Sequence, residues 1–563
     1  MLAPPRFLAA LATGLASTFA LAQPAQAQFG LEVAGHILRR TSYGPKPAQL
    51  INLIDLVGDP AAQAVKINQY IDDQLDGDDP DPIVGAADFL FLPSVKVQNP
   101  TGGNDWDIDN LARYNLTLAL YSENQLRELM TGFWQQHFNT SHGAVAFKLR
   151  TQHGLSDTES NRIAAWFEYQ QNEGFREHAL GSFRELLRVS AEGVAMLIYL
   201  DSNNNKKASP NENYARELME LHTLGTDAEG NPNLYLQPDV EEAAKIFTGW
   251  FALPDSSGIW TFAYDPNEHS DLPKTMFAHS AEPTFAPPLD IATPSEGRLL
   301  LDYLANSEVT AKFVSEKLFA FFISQDPQDT SPGSDYTKLI DDCIAAWTAP
   351  NAEIRDVLEV LLKSSRMMSA VDAFSLVERP IEALTSTVRS LDGLILNPDE
   401  LNFLYNRLRG ELGQALFRFP SPDGYSFENF DQISTSQVLY RTRVNAWIDS
   451  SYVSNSTGAD ARVAYNWGPL FAQNSLGLLD PSKEFDMVLF FFLMIHQGLP
   501  DPASGSTEFN DALTFLATDD SGLPHNLSLS ELWSGPNANP DLYQERIDGV
   551  VRYIASLPRS LQK

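Results

Sequence analysis

Cysteine is almost absent: Cys343 stands alone in 563 residues. One thiol excludes an intrachain disulfide, a Cys-based metal cluster, a c-type haem attachment and an iron–sulfur site. Positive charge is also scarce. Lys and Arg number 39 against 73 Asp and Glu, a formal net charge of −34. A surface so acidic repels phosphate backbones and anionic membranes, so nucleic acid is excluded as an expected partner. Long apolar runs are missing beyond the N-terminus. The richest later candidate, 487–495, is too short to span a bilayer and reads as buried helix. Several catalytic signatures are absent as well: no G-x-S-x-G elbow, no H-E-x-x-H and no phosphate-binding P-loop. Alternating strand patterns are few.

What is present begins with the N-terminus. Arg6 precedes an apolar run from Phe7 to about Ala22, and Ala25-Gln26-Ala27 supplies an A-x-A cleavage site. Residues 1–27 are therefore expected to be a secretory signal peptide, with no retained transmembrane anchor, and a periplasmic or secreted location follows. Residues 28–563 are left, either as one large helical domain or as two lobes meeting near 324–336. Apolar residues recur at three- and four-residue spacing through most of this length. Asp109–Phe138 reads as a long amphipathic helical stretch, and 182–200 and 211–224 as helices. Further helices are expected at 238–249, 308–323, 378–391 and 435–449, among others. The segment 251–290, rich in Pro and aromatics, reads as an irregular excursion. The expected fold class is mainly α, a large multi-helix, bundle-like domain with long irregular loops.

Several stretches carry a resemblance: HILRRTSYGPKPAQL near the start, GFWQQHFNTS at 132–141, EHALGSFRELL at 177–187 and MLIYLDSNNNKKASPNENYARELMELHTLG at 196–225. DVEEAAKIFTGW at 239–250, NEHSDLPKTMF at 267–277, SEVTAKFVSEKLFAFFI at 307–323 and LGQALFRFPSPDGYSF at 412–427 complete the set. In these segments the chain resembles the bacterial family called domain of unknown function 1800 (DUF1800). The resemblance implies an exported, largely helical protein and a second exported protein, encoded nearby, as partner. Glu192 departs from the His-Pro pair expected before MLIYLD.

Two constellations stand out. Counted from Asp201 as position 1, Asn203 falls at 3, Asn205 at 5 and Glu212 at 12. That is the oxygen spacing of a helix–loop–helix calcium site, although position 6 is Lys206 where the turn favours Gly. The plain alternative is a polar turn whose Asp and Asn cap helix ends. The second constellation follows on the next helix, where Tyr214, Glu217 and His222 lie close in sequence. With Trp134 and His137 from 132–141 and Trp250 from 239–250, they are expected to converge on one site in the helical core. His269 and Lys274, in the excursion, are expected to close over it as cofactor-binding groups. The sharpest chemical reading is a redox centre, built on a transition metal or a Tyr/Trp-derived quinone. It would make the protein an oxidoreductase, with Glu217 receiving a phenol proton. The alternatives are core aromatics whose polar tips find ordinary partners, and a non-enzymatic binding or assembly protein.

Overall fold

Short caps fix where many of the helices begin. In the computed structural model, Asp107 accepts a hydrogen bond from the Asn110 amide, and Ser156 and Glu159 form a reciprocal capping box. Ser307 and Ser334 cap two later helices through Val309 and Thr337. Each cap answers backbone N–H groups that a helix start leaves without partners. The structure describes residues 24–54, 59–77, 107–226, 234–256, 258–278, 282–369, 372, 375–395, 398–426, 428–432, 470, 479–496, 507–518, 528–533 and 539–557. Residues 1–23 of the expected signal peptide 1–27, and the helix expected at 435–449, lie outside them.

The first half comprises α1 (Pro24–Thr41), α2 (Pro47–Leu53), α3 (Pro60–Leu75), α4 (Ile108–Tyr121), α5 (Gln125–His137), α6 (His142–His153) and α7 (Asp157–Glu177). Then come α8 (Phe183–Ala191), α9 (Val194–Tyr199), α10 (Asn213–Glu217) running into a π-turn (Leu218–Thr223), and α11 (Gln237–Ile246). A hairpin of β1 (Trp250–Pro254) and β2 (Trp260–Tyr264) pairs antiparallel, Trp250 opposite Tyr264. The second half adds α12 (Ser295–Ala305), α13 (Glu308–Phe322), α14 (Asp335–Trp347), α15 (Ile354–Leu362), α16 (Pro380–Ser390) and α17 (Pro398–Gly410). Described helices near the C-terminus are α18 (Glu484–His496), α19 (Thr507–Ala517) and α20 (Pro540–Ala555). The fold is mainly α, as the periodicity predicts. Its buried apolar residues form one connected core that runs from Leu31 to Leu557. No helix among the described residues is long and apolar enough to cross a membrane.

Three expected helices are broken, each for a local reason. The stretch 109–138 splits at Ser122, whose backbone turns extended (ψ 140°) and whose hydroxyl accepts from the Asn124 amide. Buried Gln125 then stitches the two pieces, donating to the Leu118, Ala119 and Ser122 carbonyls. The stretch 182–200 splits at Gly193, where a Cβ would stand 2.7 Å from the Val189 carbonyl oxygen. The helix after residue 211 widens into the π-turn. There the Thr223 hydroxyl donates to the Leu218 carbonyl, five residues back, at 2.6 Å. A π-turn re-aims the residues that follow it. His222 ends fully buried, while Leu221 is only half-buried. The excursion at 251–290 also contains order the sequence reading did not anticipate, namely the hairpin and an isolated bridge between Met276 and Phe285.

Candidate functional site

Helix α5 has two working faces. Phe133, Trp134 and His137 point into the core, and all three are at most 3 % exposed. Glu128, Leu129, Gly132, Gln135 and Gln136 line a cleft on the other side.

The core face holds the first cluster. His137 Nε2 donates to the His222 carbonyl at 3.0 Å, and Lys317 from α13 donates to His137 Nδ1 at 3.0 Å. Phe138, Phe183 and Phe313 surround the His137 ring, with Trp134 edge-on at 5.6 Å. His222 is 0 % exposed and neither ring nitrogen has a protein partner. Burial drives the His222 imidazole down to about 3, with Lys317 adding to the effect. Burial, then Lys317, also holds His137 well below the usual histidine range. Both rings are therefore neutral at physiological pH. Burial alone lowers Lys317 to about 8.

The other expected site residues go elsewhere. Tyr214 packs edge-on against Phe247 at 5.1 Å, and Phe247 against Trp250 at 5.1 Å. The Tyr214 hydroxyl and the Trp250 indole N–H are buried without partners, and burial pushes the Tyr214 phenol up. Trp250 lies so close to α12 that only glycine fits at 297, where a Cβ would meet the indole at 2.3 Å. Glu217 is half-buried; burial raises it, and the neighbouring Glu220 adds to that. His269 and Lys274 meet a carboxylate that the sequence reading did not single out. Lys274 Nζ lies 2.7 Å from Glu296 and donates to the Ser270 carbonyl at 2.7 Å. His269 Nδ1 donates to the Thr248 carbonyl at 2.7 Å, and its Nε2 accepts from Lys274 at 3.2 Å. All three side chains are about 1 % exposed. This triad pins the excursion onto α12. The six residues expected at one centre thus divide. Trp134, His137 and His222 meet around Lys317, Tyr214 and Trp250 join through Phe247, and Glu217 stands on the flank.

The calcium spacing is present, but its oxygens radiate. Asp201 Oδ2 pairs with Lys148 at 2.8 Å, and Asn203 Oδ1 accepts from the Ala252 amide at 2.8 Å. Asn205 accepts from the Asn211 amide and donates to the Ala244 carbonyl, both at 2.9 Å. Glu212 accepts from Arg216 and Gln237. As placed, the four do not present a calcium shell, and they act as ties from the loop to α6, β1 and α11. Among the described residues no group of three or more His, Cys, Asp or Glu could hold a metal ion.

The cleft was not singled out from the sequence. Tyr43, Asn115, Asn172, Phe321, Arg379, Ile381, Gln414, Leu416 and Phe417 complete its wall, and its space, counted out to the solvent mouth, is about 630 Å³. Glu128 is gripped by Arg176 Nε at 3.1 and 3.2 Å. Arg176 also reaches Asn115 and Asn172, each at 3.1 Å. Burial pulls the Arg176 guanidinium down, but Glu128 and Glu173 outweigh it and hold it above its usual value. Arg379 pairs with Glu382 and lies 3.6 Å over the Phe321 ring. Positive and negative charges therefore balance in the wall. Gln135 accepts from Asn172 at 3.3 Å, and its buried Nε2 has no protein partner. Gly132 leaves room for the Tyr43 hydroxyl, which a Cβ there would meet at 2.9 Å. Phe417 adopts a left-handed backbone, φ 63°. A bulky residue held in that region costs energy and is over-represented at binding sites. One signal could have found the cleft. Tyr43, Gln135, Gln136, Gln414 and Phe417 all lie inside segments quoted for the family resemblance, more than 370 positions apart at the extremes.

A family model described as "Protein of unknown function (DUF1800)" matches residues 36–489. No curated protein and no solved structure matches the chain.

Proposed function

Since the chain belongs to the DUF1800 family, whose description states no activity, we propose from its own geometry that it is a binding protein for a small neutral ligand rich in hydroxyl groups. One observation carries this reading: segments distant in sequence meet to wall one cleft with carboxamides and aromatic rings. Asn115, Asn172, Gln135, Gln136 and Gln414 offer donors and acceptors without net charge, and Phe321, Phe417 and Tyr43 offer apolar faces. Clefts that combine apolar walls with a few converging polar groups are the usual form of small-molecule sites. The charges there are already paired, so a charged ligand gains no free counterion. Calorimetry of the purified protein with neutral mono- and disaccharides, repeated with Gln135→Leu, tests the reading. Saturable binding that the substitution weakens supports it. Heat changes indistinguishable from dilution across the sugar panel would refute it.

The N-terminal sequence supports placement outside the cytoplasm, with mature chains beginning near residue 28. A redox role is the second reading, favoured by the edge-to-face series Tyr214, Phe247, Trp250 and Phe262. It is the weaker one, because oxidised Tyr214 would have no hydrogen-bonded acceptor for its proton. An unmodified mature mass and an absence of visible absorbance would remove it.

A further inference from the structure

Five carboxamides stand in the cleft wall, and their hydrogen bonding divides them into two groups. Asn115 and Asn172 are bonded at both ends. Each Oδ1 accepts from the Arg176 guanidinium at 3.1 Å. Asn115 Nδ2 donates to the Leu111 carbonyl at 3.0 Å, and Asn172 Nδ2 to Gln135 Oε1 at 3.3 Å. The three glutamines are bonded at the oxygen end only. Gln136 Oε1 accepts from the Tyr425 amide at 2.8 Å, and Gln414 Oε1 from the Ile381 amide at 3.0 Å. None of the three Nε2 atoms has a protein partner among the described residues, and Gln135, whose Nε2 is fully buried, is only 5 % exposed. These orientations are forced. A backbone N–H only donates, so the atom that meets it on Gln136 and on Gln414 is oxygen. A guanidinium also only donates, which turns the Asn172 oxygen towards Arg176 and its nitrogen towards Gln135. Gln135 must answer with oxygen. All three glutamines are left with a free donor, and a buried donor without an acceptor is costly.

We infer that the ligand of this cleft carries an acyl carbonyl, as an N-acetylated sugar does, and that Gln135, Gln136 and Gln414 select it. That group belongs to the small, neutral, hydroxylated ligand proposed above, and it rests on that reading. A hydroxyl accepting from one of these donors brings a proton of its own, which then needs an acceptor. A carbonyl oxygen brings two lone pairs and no proton. In an acetamido group the N–H points opposite to the C=O, so it stays clear of the donors that hold the oxygen. The acyl methyl is apolar, and Phe321 and Phe417 stand in the same wall to cover it. A carboxylate would also accept, but the Arg176 and Arg379 guanidiniums already face Glu128 and Glu382. Burying a further anion there would go uncompensated. Asn172 is a positioning residue: it hands the orientation set by Arg176 on to Gln135.

The test is calorimetry of the full folded chain with N-acetylglucosamine, glucose and glucuronate. The acetylated sugar is expected to bind at least ~10-fold tighter than glucose, about what one well-made hydrogen bond contributes. Gln135→Glu keeps the side-chain shape and the oxygen that faces Asn172, and replaces the free donor with an acceptor. It should bring the two affinities to within ~3-fold of each other. Gln136→Glu keeps the oxygen that meets the Tyr425 amide, lies at a half-buried position, and should lower the same ratio. It decides the matter where the more buried variant does not fold. Equal affinities for the acetylated sugar and glucose, or a ratio that neither substitution moves, overturns the inference and leaves the cleft a sugar site. Glucuronate binding tighter than N-acetylglucosamine would assign the donors to a carboxylate and overturn it as well. No heat from any neutral sugar overturns the inference and the cleft reading together.

Discussion

Glu168 is a carboxylic acid with no cation within ion-pair distance among the described residues. It sits on α7, 0 % exposed, and receives a single hydrogen bond from the Thr140 hydroxyl at 2.8 Å. Thr140 in turn accepts from Gln171 at 3.1 Å, so its proton is committed to Glu168, and Glu168 Oε1 has no partner. Burial, opposed only by that one bond, raises the carboxyl from 4.5 to about 8. The folded pKa lies above the unfolded one. The neutral acid therefore costs nothing below pH 4.5, and stability is lost progressively as pH rises from there through 8. At pH 7 the loss is roughly 3 kcal/mol, and above pH 8 it approaches about 5 kcal/mol, at 1.36 kcal/mol per pH interval. Glu168→Gln mimics the neutral acid and removes the titration. Thermal melts of parent and variant at pH 4.5, 7 and 9 check this. The two should melt close together at pH 4.5, with the variant increasingly more stable at pH 7 and 9. A gap that does not change with pH, or a variant less stable at pH 9, would refute the reasoning.

Lys274→Met should destabilise by about 3–5 kcal/mol, because it strands Glu296 in a dry site. Limited proteolysis should then cut first within 265–290, the segment the triad anchors, and uniform cleavage elsewhere would count against that role. Chelation with EDTA is expected to leave the melting temperature within about 1 °C, since Lys148 and Arg216 already answer the carboxylates of the 201–212 loop. A drop of several degrees, reversed by calcium, would show that the loop rearranges around an ion.

Helix positions were legible because they depend on neighbours in sequence. Three- and four-residue apolar spacing marked α13 and α16. Breaks were less legible. Ser122 and Gly193 interrupt otherwise helical patterns through contacts with their own backbone, and such residues also occur inside intact helices. The π-turn left no sequence signature, yet it decides that His222 faces the core. Of the six residues expected at one centre, Trp134, His137 and His222 lie together, while Tyr214 and Trp250 gather around Phe247 and Glu217 stands apart.

Partner choice belonged to the tertiary structure. Lys317 reaches His137 across 180 positions, and no local pattern predicts that pairing. The loop from Asp201 to Glu212 shows the division most clearly. Its spacing, written in twelve consecutive residues, is compatible with a cation. Whether its oxygens face an ion or the protein depends on which charges the fold brings beside them. Lys148 arrives from α6 and Gln237 from α11, while Arg216 lies one turn along its own helix. Sequence sets which atoms are available at short range; packing sets which charges stand within Coulomb reach of them.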